Sequence, residues 1–208
     1  MAQIKGFEQF GFKRNGENDT QHYGSCPFCR SSKERFYVNK ESALWDCKVC
    51  GRSGNFSQFL EQISEQHQAA ITGALISKLS RSRGIKPQTL KSWGVGWSGI
   101  YFTWAARGNM NSSPTDLRRY QLGKKVLATS GSKLSLITSP RDTETKKVWI
   151  MEGDWDGMAL WECLRSLKIQ DQVYASPGAG ILPKRLFSLF DGKDVIVCYD
   201  NDDAGQRG

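Results

Sequence analysis

The stretch Val148-Trp149-Ile150-Met151-Glu152-Gly153-Asp154-Trp155-Asp156-Gly157 decides the fold of this chain. Its first four residues form an apolar run that is typical of a buried strand, and the run ends in an acidic turn. Apolar residues then recur at helical spacing, as in Met158, Trp161 and Leu164. The stretch therefore predicts a strand that passes through a turn into a helix.

Two more strands are predicted after this helix. Residues 172–176 form a short apolar strand closed by Pro177-Gly178-Ala179-Gly180, and residues 182–190 suit a second helix. Residues 194–199 form the third strand. This βαβαβ order predicts a parallel sheet with right-handed crossovers.

Acidic residues follow two of these strands. Glu152 comes after the first strand and Asp200 after the third, while Asp202 lies two residues later, so that in extended backbone it points the same way as Asp200. Ligands of open α/β sheets gather at such strand ends. Three converging carboxylates repel one another unless a cation lies among them, and Mg²⁺ is the natural choice because it needs few protein carboxylates. The alternative is that these are ordinary turn acids.

The pattern Glu152-Gly-x-x-Asp156 followed by Asp200-x-Asp202-x-x-Gly205 resembles the Toprim domain. That domain is shared by DnaG-type primases, topoisomerases, and some nucleases and repair proteins. The resemblance implies metal-dependent phosphoryl chemistry on nucleic acid, with Glu152, Asp200 and Asp202 as ligands of Mg²⁺ or Mn²⁺. It makes Asp156 an acid that orients the ligands or the substrate.

The cysteines of the first 60 residues carry a second motif. Cys26-Pro-Phe-Cys29 is followed after seventeen residues by Cys47-Lys-Val-Cys50, with a hairpin predicted around residues 39–42. This is the spacing of a two-knuckle zinc site, in which four thiolates leave Zn²⁺ no open position. The site is therefore predicted to be structural. Paired disulfides are the alternative, and a reducing cytoplasm argues against them.

The formal charge of +8 is unevenly distributed. Residues 61–147 contain 14 Lys and Arg against 5 Asp and Glu, whereas residues 148–208 contain 6 against 10. A basic surface beside an acidic metal site suits a protein that handles polyphosphates. The candidate phosphate-binding residues are Arg118, Arg119, Lys124, Lys125 and Lys133. Ordinary solvated cations are the alternative.

Four regions are predicted: a zinc ribbon over 1–60, a helical connector over 61–99, a basic α/β subdomain over 100–147 and an incomplete Toprim-type α/β domain over 148–208. The fold class is thus α+β overall. Residues 56–80 are predicted to be helical and to act as a mobile tether in which His67 is solvated. Cys163 and Cys198 are predicted to be buried thiols.

The middle of the chain carries a weaker resemblance. The Arg83-Gly84-Ile85 stretch, which leads to Gly94-Val95-Gly96, is similar to the segment entering the polymerase domain of DnaG-type and phage primases. The strand at 100–104 resembles the first strand of that domain. The order of the regions, with a ribbon first, a basic subdomain next and a Toprim region last, resembles that of DnaG-type primases. The four cysteine ligands are most similar to those of phage or mobile-element members.

This resemblance implies a DNA primase that makes short RNA primers from ribonucleoside triphosphates on single-stranded DNA, with a fused or separate replicative helicase as partner. Trp45, Tyr37 and Phe28 are candidates for stacking on template bases; the alternative is that they pack the ribbon core. A RecR-like DNA-binding mediator and a Toprim nuclease remain as other hypotheses.

Nothing in the sequence predicts a membrane segment or a signal peptide, so a cytoplasmic protein is expected. Because the chain ends at Gly208, just after the acids of the third strand, the remaining Toprim elements and any helicase region are expected to lie outside this sequence.

Overall fold

The computed structural model describes residues 2–29, 31–109, 111–140, 145–178 and 182–207. It places them in three sheets and five α-helices, which together build a mixed α+β fold. None of the helices in the described part of the chain is long and apolar enough to cross a bilayer. Residues 179–181, which include the end of the predicted turn and precede the helix predicted over 182–190, lie outside the described residues.

The N-terminal region is an antiparallel sheet with its strands in sequence order. A first helix, α1 (Ala2–Gln9), precedes it. Its five strands are β1 (Lys13–Glu17), β2 (Gln21–Ser25), β3 (Phe36–Asn39), β4 (Trp45–Cys47) and β5 (Ser53–Gly54). The hairpin predicted around residues 39–42 is present between β3 and β4. Asn39 closes it, because its Oδ1 accepts hydrogen bonds from the backbone amides of Glu41 and Ser42.

Aromatic rings fill the core beneath this sheet. Phe36 stacks on Trp45 with ring centroids 5.3 Å apart, and Phe59 meets Trp45 edge-on at 5.8 Å. The Trp45 indole also donates to the backbone oxygen of Asn55 at 2.9 Å. Trp45 is therefore a core residue and is not available for base stacking, whereas Tyr37 is half-buried beside Tyr23 on the outer face of the sheet.

Three helices connect the ribbon to the rest of the protein. They are α2 (Phe56–Ala70), α3 (Gly73–Arg83) and α4 (Pro87–Ser92). Asn55 caps α2 with a capping box and Thr72 caps α3, so the single predicted helix over 56–80 is two helices. Thr72 and Gly73, an N-cap residue followed by a glycine, mark this break in the sequence.

Helix α2 is packed along its length, and the expectation of a mobile tether is wrong for it. Its first half contributes Phe59 and Ile63 to the ribbon core. Its last turn lies against the next sheet, where a Cβ added to Gly96 would come within 2.5 Å of the His67 carbonyl carbon. His67 is correspondingly half-buried, with Nδ1 3.0 Å from the Thr103 hydroxyl, and is not a solvated residue.

The basic subdomain is a small antiparallel sheet. Its strands are β6 (Gly96–Trp97), β7 (Phe102–Ala106) and β8 (Asp116–Tyr120), paired in that order. Side chains of β7 and β8 reach in two directions. Leu117 joins the ribbon core, while Trp104 and Tyr120 join a second core that also contains Met158 of the last region. The subdomain therefore lies between the ribbon and the C-terminal sheet.

The C-terminal sheet has the predicted parallel pairing. Its strands are β9 (Ile137–Thr138), β10 (Lys147–Met151), β11 (Gln172–Ala175) and β12 (Asp194–Cys198), and the spatial order is β12-β10-β11-β9. Strand β10 is parallel to both β11 and β12. The antiparallel edge strand β9 was not predicted, since two residues are too short to show a periodicity.

The crossovers match the prediction only in part. Helix α5 (Asp154–Ser166) follows β10 as expected. Residues Lys184–Phe190 form a 3-10 helix, with the Leu186 amide bonded to the Pro183 oxygen at 2.8 Å. Cys163 is exposed on α5 and Cys198 is half-buried, so the prediction of a buried thiol is wrong for Cys163.

Candidate functional site: a four-cysteine centre and an acidic pocket

The four predicted zinc ligands meet at one point of the ribbon. Their sulfur atoms all lie within 4.8 Å of one another, with Cys26 Sγ 4.0 Å from Cys50 Sγ and Cys29 Sγ 3.9 Å from Cys47 Sγ. A tetrahedron with Zn–S bonds of about 2.3 Å has edges of roughly 3.8 Å, so the sulfurs have the spacing that zinc requires. The ribbon loops are therefore shaped for a closed, structural metal site.

The thiols themselves are chemically suited to a metal. Burial raises the pKa of the Cys26 thiol, while the Phe28 amide lies 3.4 Å from its sulfur and favours the thiolate. A metal ion bound here would replace the thiol protons and would stabilise the folded ribbon. Within the described ranges, no other group of three or more His, Cys, Asp or Glu side chains has ligand atoms this close together.

The second site lies at the carboxyl edge of the parallel sheet. Glu152 follows β10 and Asp200 follows β12, and these two strands are direct neighbours. The Asp200 amide donates to Glu152 Oε2 at 2.9 Å, which joins the two strand ends. Sequence reasoning therefore placed these two acids at the same edge correctly, because parallel strands end on the same side.

Asp156 joins the same group from the first turn of α5. Its pKa is raised, first by burial and then by the carboxylates of Asp200 and Glu152. A raised pKa in a group of like charges indicates carboxylates whose ionisation a bound cation would favour. The three side chains line one cavity of about 470 Å³.

Asp202 occupies a different position in the loop. Its Oδ1 accepts hydrogen bonds from the amides of Ala204 at 3.0 Å and Gly205 at 2.8 Å, and its side chain is exposed. Gly205 lies against the loop backbone, where an added Cβ would be 2.0 Å from the Asp200 carbonyl oxygen. The Asp-x-Asp-x-x-Gly pattern thus builds a tight turn that holds Asp200 at the strand end.

Carboxylate oxygens of this kind are the ligands that Mg²⁺ and Mn²⁺ prefer, and Mg²⁺ completes its shell with water and phosphate oxygens. Glu152, Asp156 and Asp200 fit such an ion in donor type and line one cavity. Their oxygens, with those of Asp202, do not gather as closely as the four sulfurs do. The acidic site is open on the side of the cavity.

The predicted basic residues separate into distinct places. Lys124 and Lys125 are exposed and line the acidic cavity. Arg119 lies over the Tyr101 ring at 5.4 Å, and Lys133 lines a small cavity beside the ribbon; neither is among the described residues that line the acidic cavity. Three of the five candidates therefore line the acidic cavity, namely Lys124, Lys125 and the buried Arg118.

Arg118 is a correction to the predicted basic surface. Its side chain is only 2% exposed and forms ion pairs with Asp116 and with Asp154, whose Oδ2 is 3.5 Å from Arg118 Nε. A guanidinium already held by two buried carboxylates is not a surface contact for a nucleic-acid backbone. The alternation of strand β8, which turns Arg118 inward and Arg119 outward, explains the difference.

Arg83 is a cavity residue that sequence reasoning missed. It ends α3, and its guanidinium lies 4.5 Å from the centroid of the Tyr120 ring and 4.7 Å from that of Trp155. Two aromatic faces hold this cation at the wall of the acidic cavity, which Asp156 also lines. The aromatic residues Tyr120 and Trp155, which adjoin the basic and the acidic motif in sequence, were the available signal. Only the tertiary structure shows that their rings hold Arg83.

Two family models match the chain. Residues 8–90 match the CHC2 zinc finger of the DnaG zinc ribbon, and residues 149–208 match a Toprim-like model. The fold and its two sites therefore define a zinc ribbon followed by a Toprim-like domain. The two matches, in this order along the chain, support the resemblance to DnaG-type primases. No curated protein sequence gives a significant match.

Solved structures share the fold at low sequence identity. The E. coli primase catalytic core aligns with a TM-score of 0.55 and 16% identity over 73% of this chain and 64% of that one. A DnaG primase catalytic domain bound to single-stranded DNA aligns with a TM-score of 0.54 and 15% identity over 72% and 64%. This chain therefore spans less than two thirds of either core. The primase fragment of the phage T7 primase-helicase has a TM-score of 0.49 and 17% identity over 88% and 81%.

Proposed function

We propose that this chain is the zinc-ribbon and catalytic part of a DNA primase that synthesises short RNA primers on single-stranded DNA. The observation that carries this proposal is the acidic cavity, which Glu152, Asp156 and Asp200 line together with Lys124, Lys125 and Arg83. Acids for metal ions and cations for phosphates in one cavity suit a nucleoside triphosphate with its Mg²⁺.

In the proposed reaction, the 3′-hydroxyl of one ribonucleotide forms a bond to the α-phosphorus of the next. The bond from that phosphorus to the pyrophosphate breaks, and the hydroxyl proton is released. Mg²⁺ or Mn²⁺, when bound, would neutralise the charge that develops on the phosphate oxygens. Glu152 and Asp200, with Asp202 as the predicted third ligand, would hold the ions, and Asp156 would orient them or the substrate.

The cations of the cavity would bind the triphosphate. Lys124 and Lys125 are exposed and free to follow the phosphates, whereas Arg83 is fixed between two rings. A fixed guanidinium loses little conformational entropy when it binds a phosphate. We expect Arg83 to set the orientation of the triphosphate and the lysines to add attraction.

A second cavity supports a path for the template. A groove of about 740 Å³ lies between the ribbon and the β6–β7 turn, and its walls include Lys13, Gln66, Trp97, Ile100 and Tyr101. Its described lining contains no Asp or Glu, which favours an anionic ligand. Aromatic and polar side chains beside a lysine suit the bases and backbone of a single strand. The T7 protein is named a primase-helicase, and a helicase is likewise the partner that we propose here.

The test is a primer-synthesis assay with the complete gene product, single-stranded DNA, ribonucleotides and Mg²⁺ or Mn²⁺. Short RNA that starts at preferred template sites is the expected product. If the protein binds the template but makes no oligonucleotide, the hypothesis of a RecR-like DNA-binding protein would be favoured over that of a primase. Metal-dependent cleavage of the template would favour the hypothesis of a Toprim nuclease.

A further inference from the structure

Asp154 is a buried acid in the acidic stretch that the predicted site does not use. It lies in the first turn of α5, two residues after Glu152 and two before Asp156. The Trp104 indole nitrogen donates to Asp154 Oδ2 at 2.9 Å, and Arg118 Nε lies 3.5 Å from the same oxygen. Both partners belong to the basic subdomain, so Asp154 connects that subdomain to the Toprim-like domain.

The other end of the network is anchored within the basic subdomain. Arg118 pairs with Asp116, and its Nη2 donates to the Ser135 oxygen at 2.7 Å. Asp116 Oδ1 accepts from the Thr129 amide at 2.8 Å. The side chains of Asp116, Arg118 and Asp154 are 0, 2 and 3% exposed. One guanidinium is thus enclosed between two carboxylates.

Stability alone does not account for this arrangement. Buried ion pairs lose hydration, and apolar residues of similar volume are often as stable or more stable. Asp154 Oδ1 is also buried without a hydrogen-bond partner among the described residues, which is unfavourable for folding. The position of the network is the informative feature, because Asp154 and Arg118 both line the acidic cavity.

We propose that Asp154 is a positioning residue that fixes the position of the acids of the cavity relative to its lysines. By holding Arg118 of β8, it sets the distance from the segment that carries Lys124 and Lys125 to the turn that carries Glu152 and Asp156. A metal-bound triphosphate must contact the acids and the lysines at once. The distance between these two groups therefore decides whether the reacting atoms are aligned. This inference rests on the proposed function of the cavity.

The test is Asp154→Asn in the full-length protein. Asparagine keeps the shape and an oxygen acceptor for Trp104, but removes the charge that faces Arg118. We expect kcat for primer synthesis to fall about 10- to 100-fold, while the KM for ribonucleotides and the affinity for single-stranded DNA change less than about twofold.

Asp171→Asn is the matched control. Asp171 Oδ2 accepts from the Trp149 indole nitrogen at 2.9 Å, which is an Asp–Trp contact of the same length that lies away from the cavity. This variant should keep full activity. Asp154→Glu retains the charge and should recover part of the lost kcat. A purely structural role would instead lower the stability in both asparagine variants and leave kcat per folded molecule unchanged.

A double-mutant cycle tests whether the network acts as one unit. Arg118→Gln and Asp154→Asn should each lower kcat, and the double variant should fall no further than the more severe single variant. Effects that multiply would show that the two residues act separately and would overturn the proposal.

Mn²⁺ binding gives a readout that does not depend on primer synthesis. In the zinc-loaded protein without template, electron paramagnetic resonance should show Mn²⁺ bound several-fold more weakly to Asp154→Asn than to wild type or Asp171→Asn. If the wild type makes no primer but shows this difference, the primase function fails and the positioning role stands. If Asp154→Asn matches wild type in both kcat and Mn²⁺ affinity, or the wild type binds no Mn²⁺, the positioning role fails.

Discussion

The backbone amide of Asp200 donates a 2.9 Å hydrogen bond to the Glu152 carboxylate, across 48 residues of sequence. The bond links the ends of two adjacent parallel strands and fixes one oxygen of Glu152. The neighbouring carboxylate of Asp156 then has a raised pKa, because burial and the charges of Asp200 and Glu152 oppose its ionisation. The acids are arranged so that a cation relieves their repulsion.

Asp200→Asn should abolish most catalysis in the complete protein. The change removes one negative charge from the acidic cavity with little change in shape, and we expect the rate of primer synthesis to fall about 100-fold or more. Zinc content and DNA affinity should stay near wild type. Asp203→Asn, which removes the same charge from an exposed neighbour, is the control. Equal rates for the two variants would exclude Asp200 from the metal site.

Gly205→Ala should disturb the acidic loop without touching any acid. An added Cβ would lie 2.0 Å from the Asp200 carbonyl oxygen, so the loop backbone must move. We expect activity to fall at least about tenfold and the unfolding free energy to drop by about 1–3 kcal/mol. Gly73→Ala at the start of α3 meets open space and should be neutral or slightly stabilising. Wild-type activity in Gly205→Ala would mean that the loop is free to shift.

Cys47→Ser should remove the structural metal. Elemental analysis should find about one zinc per wild-type chain and less in the variant. Hydrogen exchange should accelerate in β3, β4 and the first half of α2, because Phe36, Trp45 and Phe59 share the core beside the cysteines. The parallel sheet β10–β12 should remain protected. Full protection of the ribbon in metal-free protein would contradict a structural zinc.

His67 should titrate well below an ordinary histidine. Burial lowers its pKa to about 4, and burial likewise lowers the pKa of His22. Because the folded-state pKa of His67 is depressed, its contribution to stability is full above pH 6.5 and is lost as the pH falls towards 4. The contribution is about 3 kcal/mol. With two histidines in the chain, NMR titration resolves both, and His67→Gln assigns the signal. A His67 pKa near 6.5 would show that α2 separates from Thr103 in solution.

The sequence predicted the elements whose signals are local. The cysteine spacing, the hairpin at Asn39 and the strand ends at Glu152 and Asp200 each depend on a short stretch, and the structure has them where they were expected. The roles of Asp202 and of the surface lysines stay predictions.

The sequence did not predict what depends on distant contacts. Arg118 is buried against Asp154, 36 positions later, and His67 is covered by Thr103, also 36 positions later. A charged or polar residue in isolation favours the surface, so only the packing of separate segments decides such burial. Arg83 became a cavity residue for the same reason, through rings from two other elements.

Helix α2 has a geometric consequence for the molecule as a whole. It starts in the ribbon core at Phe56 and ends beside β6 and β7 at Ala70, so one rigid rod belongs to both regions. An α-helix advances about 1.5 Å and turns about 100° for each residue. The length of α2 therefore sets the orientation of the ribbon relative to the acidic cavity. Inserting a single residue would rotate the ribbon by more than a quarter turn and change the distance that a bound strand must cross.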